Sequence, residues 1–133
     1  MNDYKKQEEN LLELIKQKEQ ADKRLLTAEF IISLLTIILF LLTVLTASYV
    51  PMSEQLKFGL VVIGTISFII GMAYALRIEQ TAGYYKCAKC NHRYVPTYKS
   101  VLFAPHINRT RYMHCPNCNE KSWHKKVLKR EDD

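Results

Sequence analysis

The chain has 133 residues, 48% of them hydrophobic, with 19 Lys and Arg against 13 Asp and Glu and a formal charge of +6. That is enough for one modest domain, yet residues 30 to 76 hold only two charged side chains, Glu54 and Lys57, and the flanks hold the other 30. Such partition excludes a single soluble core.

Residues 1 to 29 carry six basic and seven acidic side chains and contain neither Gly nor Pro. Lys, Glu, Gln and Leu dominate, so propensity favours a charged, amphipathic cytoplasmic helix running unbroken into the apolar stretch that follows. A seam of Tyr4, Glu8, Leu11, Ile15, Lys18, Asp22 and Leu25 is too polar for a coiled coil. It reads instead as a solvated helix with a short patch at Leu11, Leu12, Leu14 and Ile15, resting on the tail or on the membrane surface.

Phe30 to Val50 is a run of 21 uncharged residues, about 31 Å of helix against a hydrocarbon layer of about 30 Å. Phe58 to Leu76 adds 19 more, about 28 Å. Both read as transmembrane helices, antiparallel because only residues 51 to 57 join them. A signal peptide has a shorter apolar region behind a short basic start, and a soluble hairpin needs a polar face that neither segment has. Lys16, Lys18, Lys23 and Arg24 precede the first span and Arg77, Lys86, Lys89 and Arg93 follow the second, whereas the loop offers Lys57 alone. The positive-inside rule therefore predicts an extracytoplasmic loop and both termini in the cytoplasm of a two-span cell-membrane protein. Tyr49 and Tyr74 fit interfacial anchors. With no ionisable side chain inside either span, a channel or carrier built from this chain alone is disfavoured.

Gly64, Ser67, Gly71 and Ala75 line small residues along one face of the second span, and Ser33, Thr36, Thr43 and Thr46 do the same on the first. Small faces allow close helix packing, within the hairpin as the plainer reading, or in a homo-oligomer or with a separate partner.

A helical linker, residues 77 to 83, is expected to stop at Gly83. The four cysteines then come in two pairs, Cys87-Ala-Lys-Cys90 and Cys115-Pro-Asn-Cys118, separated by 24 residues. Two such knuckles complete the four-sulfur shell that zinc favours in structural sites. One structural zinc ion per chain is expected, held by Cys87, Cys90, Cys115 and Cys118, with Asn91 and Asn119 at positions that call for positive φ. Disulfides fit poorly with a cytoplasmic tail, and a thioredoxin-like redox pair needs a βαβ setting that so short a tail cannot supply. Because cysteines fill the shell, His92 and His114 read as surface groups or neighbours of the ligands; His106 and His124 also lie near the site. Strand-rich stretches at 92 to 103, 107 to 114 and 122 to 128 predict a small all-β zinc ribbon over 84 to 128, a three-stranded antiparallel sheet with two knuckles, before a charged tail at 129 to 133. Enzymatic chemistry has no visible residues to carry it.

The knuckle spacing, the strand-rich interval and Trp123 after the last cysteine resemble the C-terminal zinc ribbon of transcription elongation factor S and of the RNA-cleavage subunits of RNA polymerases. Those ribbons act through an acidic pair at the hairpin tip; residues 103 to 109 here contain no acid, so the resemblance implies the fold and not that activity. Over its whole length, with Tyr-Val-Pro-Thr-Tyr at 94 to 98, Arg-Thr-Arg-Tyr-Met at 109 to 113 and Lys-Ser-Trp at 121 to 123, the chain resembles small membrane proteins of Gram-positive bacteria that join a two-span hairpin to a zinc ribbon. That resemblance implies architecture alone.

The leading functional expectation is a membrane-anchored adaptor whose ribbon binds a protein partner through Tyr94, Tyr98, Phe103, Ile107, Arg109, Arg111 and Tyr112, although several of these can equally form the ribbon's own core. The runner-up is nucleic-acid binding through Lys99, Arg109, Arg111, Lys121, Lys125, Lys126, Lys129 and Arg130 interleaved with aromatics. Anionic lipid attraction explains the same charge more simply. A thiol redox or metal-sensing role is a third reading.

Overall fold

A computed structural model describes residues 2–128; the charged tail expected at 129 to 133, Lys129 and Arg130 included, lies outside them. Two long helices come first, α1 (Asn2–Tyr49) and α2 (Glu54–Thr81). The first is continuous across the charged and apolar segments, as the absence of Gly and Pro predicts. Pro51 follows its end, and α2 begins at Glu54, inside the segment read as loop, because Ser53 caps it: the Ser53 hydroxyl accepts from Leu56 N at 3.4 Å and satisfies one of the donors a helix start leaves open. The chain divides into two compact units, one formed by Thr27–Ile78 and the other by Met1–Leu26 with Glu79–Asp133.

The first unit is the apolar helical pair. Both helices are long and apolar enough to span a membrane. Their large side chains point outward, as with Leu39, Ile63 and Ile70, where a soluble hairpin would bury them. Hydroxyls within the apolar stretch are satisfied locally, Thr36, Thr43 and Thr46 donating to the carbonyls of Ile32, Leu39 and Leu42 at 2.7 to 2.9 Å, so none of the three depends on a partner outside its own helix. A Cβ at Gly64 would come within 2.7 Å of Thr43 Cγ2, and one at Gly71 within 2.7 Å of Thr36 Cγ2. The glycines thus let α2 approach the threonine stripe of α1, with Phe40 and Phe68 packed beside them at 4.8 Å between ring centroids. Ala75 is buried and Ser67 is exposed.

The second unit carries the sheet. Its strands are β1 (Tyr84–Cys87), β2 (Arg93–Tyr94), β3 (His106–Ile107), β4 (Thr110–His114) and β5 (Lys121–Val127). All pair antiparallel in the order β2-β1-β5-β4-β3. The predicted three strands are therefore five. The expected strand at 92 to 103 is corrected to the two-residue β2 and a helical turn, α3 (Tyr98–Phe103), because Thr97 caps it: its hydroxyl accepts from Ser100 N and Val101 turns into the core. Gly83 ends α2 with φ +71 and a Cβ there would meet Val127 O at 2.8 Å, so the turn into β1 needs glycine.

One face of this sheet is buried through Tyr85, Cys87, Arg111, Met113, Ser122, His124 and Lys126. The other presents Lys86, Tyr112, Trp123 and Lys125, as the period-2 alternation dictates. From α1 the unit takes Lys18, Asp22 and Leu26, one helix face at spacing four. Lys18 lies 4.5 Å over the Tyr84 ring and bonds Asp22 at 2.8 Å, while Asp22 and Leu26 are buried. The patch at Leu11, Leu12, Leu14 and Ile15 stays exposed.

Candidate metal centre and its surroundings

Each cysteine pair sits in a turn built the same way. Asn91 N donates to Cys87 O and Asn119 N to Cys115 O, while Cys87 N and Cys115 N donate to the carbonyls of His92 and Glu120, all at 2.9 to 3.1 Å. The turn closes only if the residue after the second cysteine is left-handed; Asn91 and Asn119 take φ 59 and 60, a conformation Asn tolerates better than other non-Gly residues.

The two turns bring all four sulfurs within 4.8 Å of one another. Cys87 Sγ lies 3.9 Å from Cys118 Sγ, and Cys90 Sγ 3.6 Å from Cys115 Sγ. These are far longer than a disulfide bond, and all four thiols are free. Four sulfurs at about 2.3 Å from one ion define tetrahedral edges of about 3.8 Å, so the cluster can hold a single metal ion. Its electrostatics ask for one. Burial works against the Cys87 thiolate, but Ser122 and the amides of Cys90 and Lys89 outweigh it and hold Cys87 down to about 5. The amide of His92 and the Asn117 side chain lower Cys90. Cys118 has an amide contact near Glu120, which works the other way, yet burial and the three neighbouring sulfurs push it up to about 11. Ionising all four sulfurs together at this spacing needs a cation among them.

Around the ligands, Ser122 Oγ lies 3.3 Å from Cys87 Sγ and Asn117 Nδ2 donates to Cys90 Sγ at 3.7 Å. Lys89 and Glu120 join the two knuckles by an exposed ion pair, a contact of little energetic weight. His92 and His114 are exposed, whereas His124 is wholly buried on the strand facing Cys87. The Tyr94 ring meets His124 edge-on at 5.6 Å and stacks with His92 at 5.8 Å.

No protein-family model matches the chain, no curated protein matches it, and no solved structure matches it.

The residues expected to form one interaction surface part company. Tyr112 and Trp123 stand on the open sheet face, 5.4 Å apart and both partly exposed; Trp123 is not among the residues expected there, although the alternation of β5 places it outward with Lys121 and Lys125. Phe103 and Ile107 are exposed, and Tyr94, Tyr98 and Arg109 are half-buried. Arg111 is corrected from surface to interior. Its Nη2 donates to Glu79 Oε2 at 2.6 Å and its Nη1 to Val101 O at 2.9 Å, with 4% of the residue exposed. Tyr85 Oη donates to Glu79 Oε1 at 3.0 Å and accepts from Arg111 Nε at 3.3 Å. Lys126, another residue assigned to the basic surface, is likewise buried: its Nζ donates to the Glu79 carbonyl and lies 4.3 Å over the Tyr85 ring. That carbonyl belongs to the last turn of α2, where helices leave acceptors unfilled.

Burial pulls Lys126 down to about 8; Glu79 and Asp22 partly offset it, while Arg109 and Arg111 add to it. The folded state thus releases this proton at lower pH than the unfolded chain, whose lysine titrates near 10.4. Between about pH 8 and 10 the unfolded state binds more protons, so stability rises with pH. Above that window Tyr85 reverses the trend, because burial and then Glu79 raise its phenol. Denaturation midpoints of the metal-loaded protein should therefore climb from about pH 8 to about pH 9.5, the four cysteines freed on unfolding adding to the climb below about pH 8.5, and Lys126→Met should lower the slope above that point. An unchanged slope in the variant would assign it to other groups.

Proposed function

We propose that the chain is a membrane-anchored zinc-ribbon adaptor that binds rather than catalyses, presenting the open sheet face to a protein partner in the cytoplasm. The observation that carries the reading is a set of four thiols within 4.8 Å of one another at a small sheet, in a chain that also has two helices of membrane-spanning length. Zinc matches the donor set: Cys87, Cys90, Cys115 and Cys118 would hold it in a closed structural shell with no open position for water, and its contribution is to fold the ribbon. The Lys and Arg asymmetry around the helices supports both termini being cytoplasmic, and the likeness to two-span bacterial membrane proteins supports the architecture alone. Tyr112 and Trp123, aromatic and partly exposed on a rigid sheet, have the character of interface anchors.

A second reading, nucleic-acid binding, draws on a different observation. Arg93, Lys86 and Lys125 are cross-strand neighbours in one row of the same face, and beside exposed aromatics such a row suits a phosphate backbone.

One experiment addresses both. A photocrosslinking amino acid placed at Trp123 in cells should yield discrete protein adducts that disappear in the Cys115→Ser background, with none from the same probe at Tyr4. Adducts removed by nuclease would favour the second reading. Identical adducts from both positions would defeat the adaptor, and a purified full-length protein lacking stoichiometric zinc would defeat the ribbon.

A further inference from the structure

The stretch from Asn91 to Asn119 contains no acidic residue in 29 positions. Within it, the segment from Val95 to Arg109 exposes apolar side chains that the ribbon does not use: Phe103 is 80% exposed, Ile107 69%, Leu102 49% and Val95 47%. Phe103 and Leu102 end α3, and Ile107 lies on β3, the last strand at one edge of the sheet. A small domain in water gains nothing from displaying its largest aliphatic and aromatic groups together, and such patches mark an interaction site.

Two hydrogen bonds tie this segment down near its ends. Gln80 Nε2 donates to Pro96 O at 2.8 Å, and Arg109 Nη2 donates to Leu26 O at 3.3 Å. Gln80 follows Leu76, the end of one apolar stretch, by four residues, and Leu26 precedes Phe30, the start of the other, by four. Four residues of helix rise about 6 Å. The polar layer outside the hydrocarbon is about 5 to 8 Å thick on each side. Along its own helix each tied residue is thus about one turn beyond the apolar stretch, a rise that a head-group layer matches if that stretch spans the hydrocarbon, and the exposed apolar groups lie on the segment between the two ties. Lys99, exposed at the start of α3, gives the segment positive charge with no acid to oppose it, which matches an anionic leaflet.

We infer that Val95 to Arg109 is an interfacial anchor: Leu102, Phe103 and Ile107 enter the head-group layer of the leaflet that the helices cross, and Lys99 meets anionic lipid phosphates. Phe103 and Ile107 thereby leave the protein-binding surface, which is confined to the open sheet face. The inference rests on the reading of α1 and α2 as membrane spans.

The test uses the full chain in lipid nanodiscs, with Trp123→Phe removing the native tryptophan and a single tryptophan returned by Phe103→Trp, by Leu39→Trp within α1, or by Tyr4→Trp on the exposed helix. Metal content confirms that each variant is folded. Phe103→Trp should emit to the blue of Tyr4→Trp and lose emission in discs made with lipids brominated high on the acyl chain, more strongly with phosphatidylglycerol than with phosphatidylcholine. Water-like, unquenched emission from Phe103→Trp beside a quenched Leu39→Trp would overturn the anchor and leave the spans intact. Blue-shifted emission that brominated lipid does not quench would also overturn it, placing protein over the patch. Equal quenching in both lipids would overturn the role of charge, and an unquenched Leu39→Trp would overturn the spans and the anchor together.

Discussion

Replacing Cys115 by serine should strip the metal from the protein and unfold residues 84 to 128. The reason is arithmetic. This segment has 45 residues, a length at which a single hydrophobic core rarely suffices, and its wholly buried side chains reduce to Tyr85, Cys87, Val101, Cys115 and His124. Two of those five, Cys87 and Cys115, belong to the four-thiol cluster. A structural zinc site in a small domain supplies on the order of 10 kcal/mol of folding free energy, more than such a core offers. Cys115 itself is fully buried, its amide closes the second knuckle on Glu120 O, and its sulfur sits 3.6 Å from Cys90. Serine would keep the amide bond and lose the thiolate, so the variant isolates the metal from the turn. A thiol redox pair predicts the opposite pattern, with exchange chemistry lost and the fold retained. Metal content and amide-exchange protection of 84 to 127, compared between wild type and Cys115→Ser in the full-length protein, decide between them. Wild-type protein that is protected yet metal-free would refute the structural assignment.

The sequence made the parts of this fold that depend on local chemistry readable, and hid those that depend on pairing at a distance. Uncharged length announced both apolar helices, cysteine spacing announced the knuckles, and the asparagine after each second cysteine announced its left-handed turn. Strand count was harder. β2 and β3 have two residues each, too short for alternation to register, and the Tyr and Val of 98 to 103 mimic a strand unless Thr97 is recognised as a cap. The buried charges were hidden for another reason. Glu79 and Arg111 are 32 positions apart, and neither carries a local mark distinguishing a core ion pair from solvated charge, so Arg111 and Lys126 read as a basic surface. The spacing of Lys18, Asp22 and Leu26 contains a face, yet two of its three members are charged, which conceals it from any search for apolar periodicity.

That buried pair also sets the second large effect. Glu79→Ala should destabilise the ribbon by about 3–5 kcal/mol, the usual cost of leaving one partner of a buried ion pair uncompensated. Arg111 would keep Val101 O and Tyr85 Oη but no negative charge, and Lys126, already disfavoured as a cation by burial, would lose the carboxylate that partly offsets it. The deficit is therefore felt by two cations in one pocket. Replacing both charges, Glu79→Met with Arg111→Met, removes the uncompensated arginine and should recover part of the loss, the remainder reflecting Lys126 without its carboxylate and Tyr85 Oη and Val101 O without their side-chain partners. Metal content should stay at the wild-type value in all of these proteins, since none of the altered groups touches a ligand sulfur. Chemical unfolding at constant metal, followed in the full-length protein, gives the comparison. A Glu79→Ala loss under about 1 kcal/mol would place the pair among solvent-screened contacts and contradict its burial. A double variant as unstable as the single one would show instead that the pair is worth more than the volume it fills.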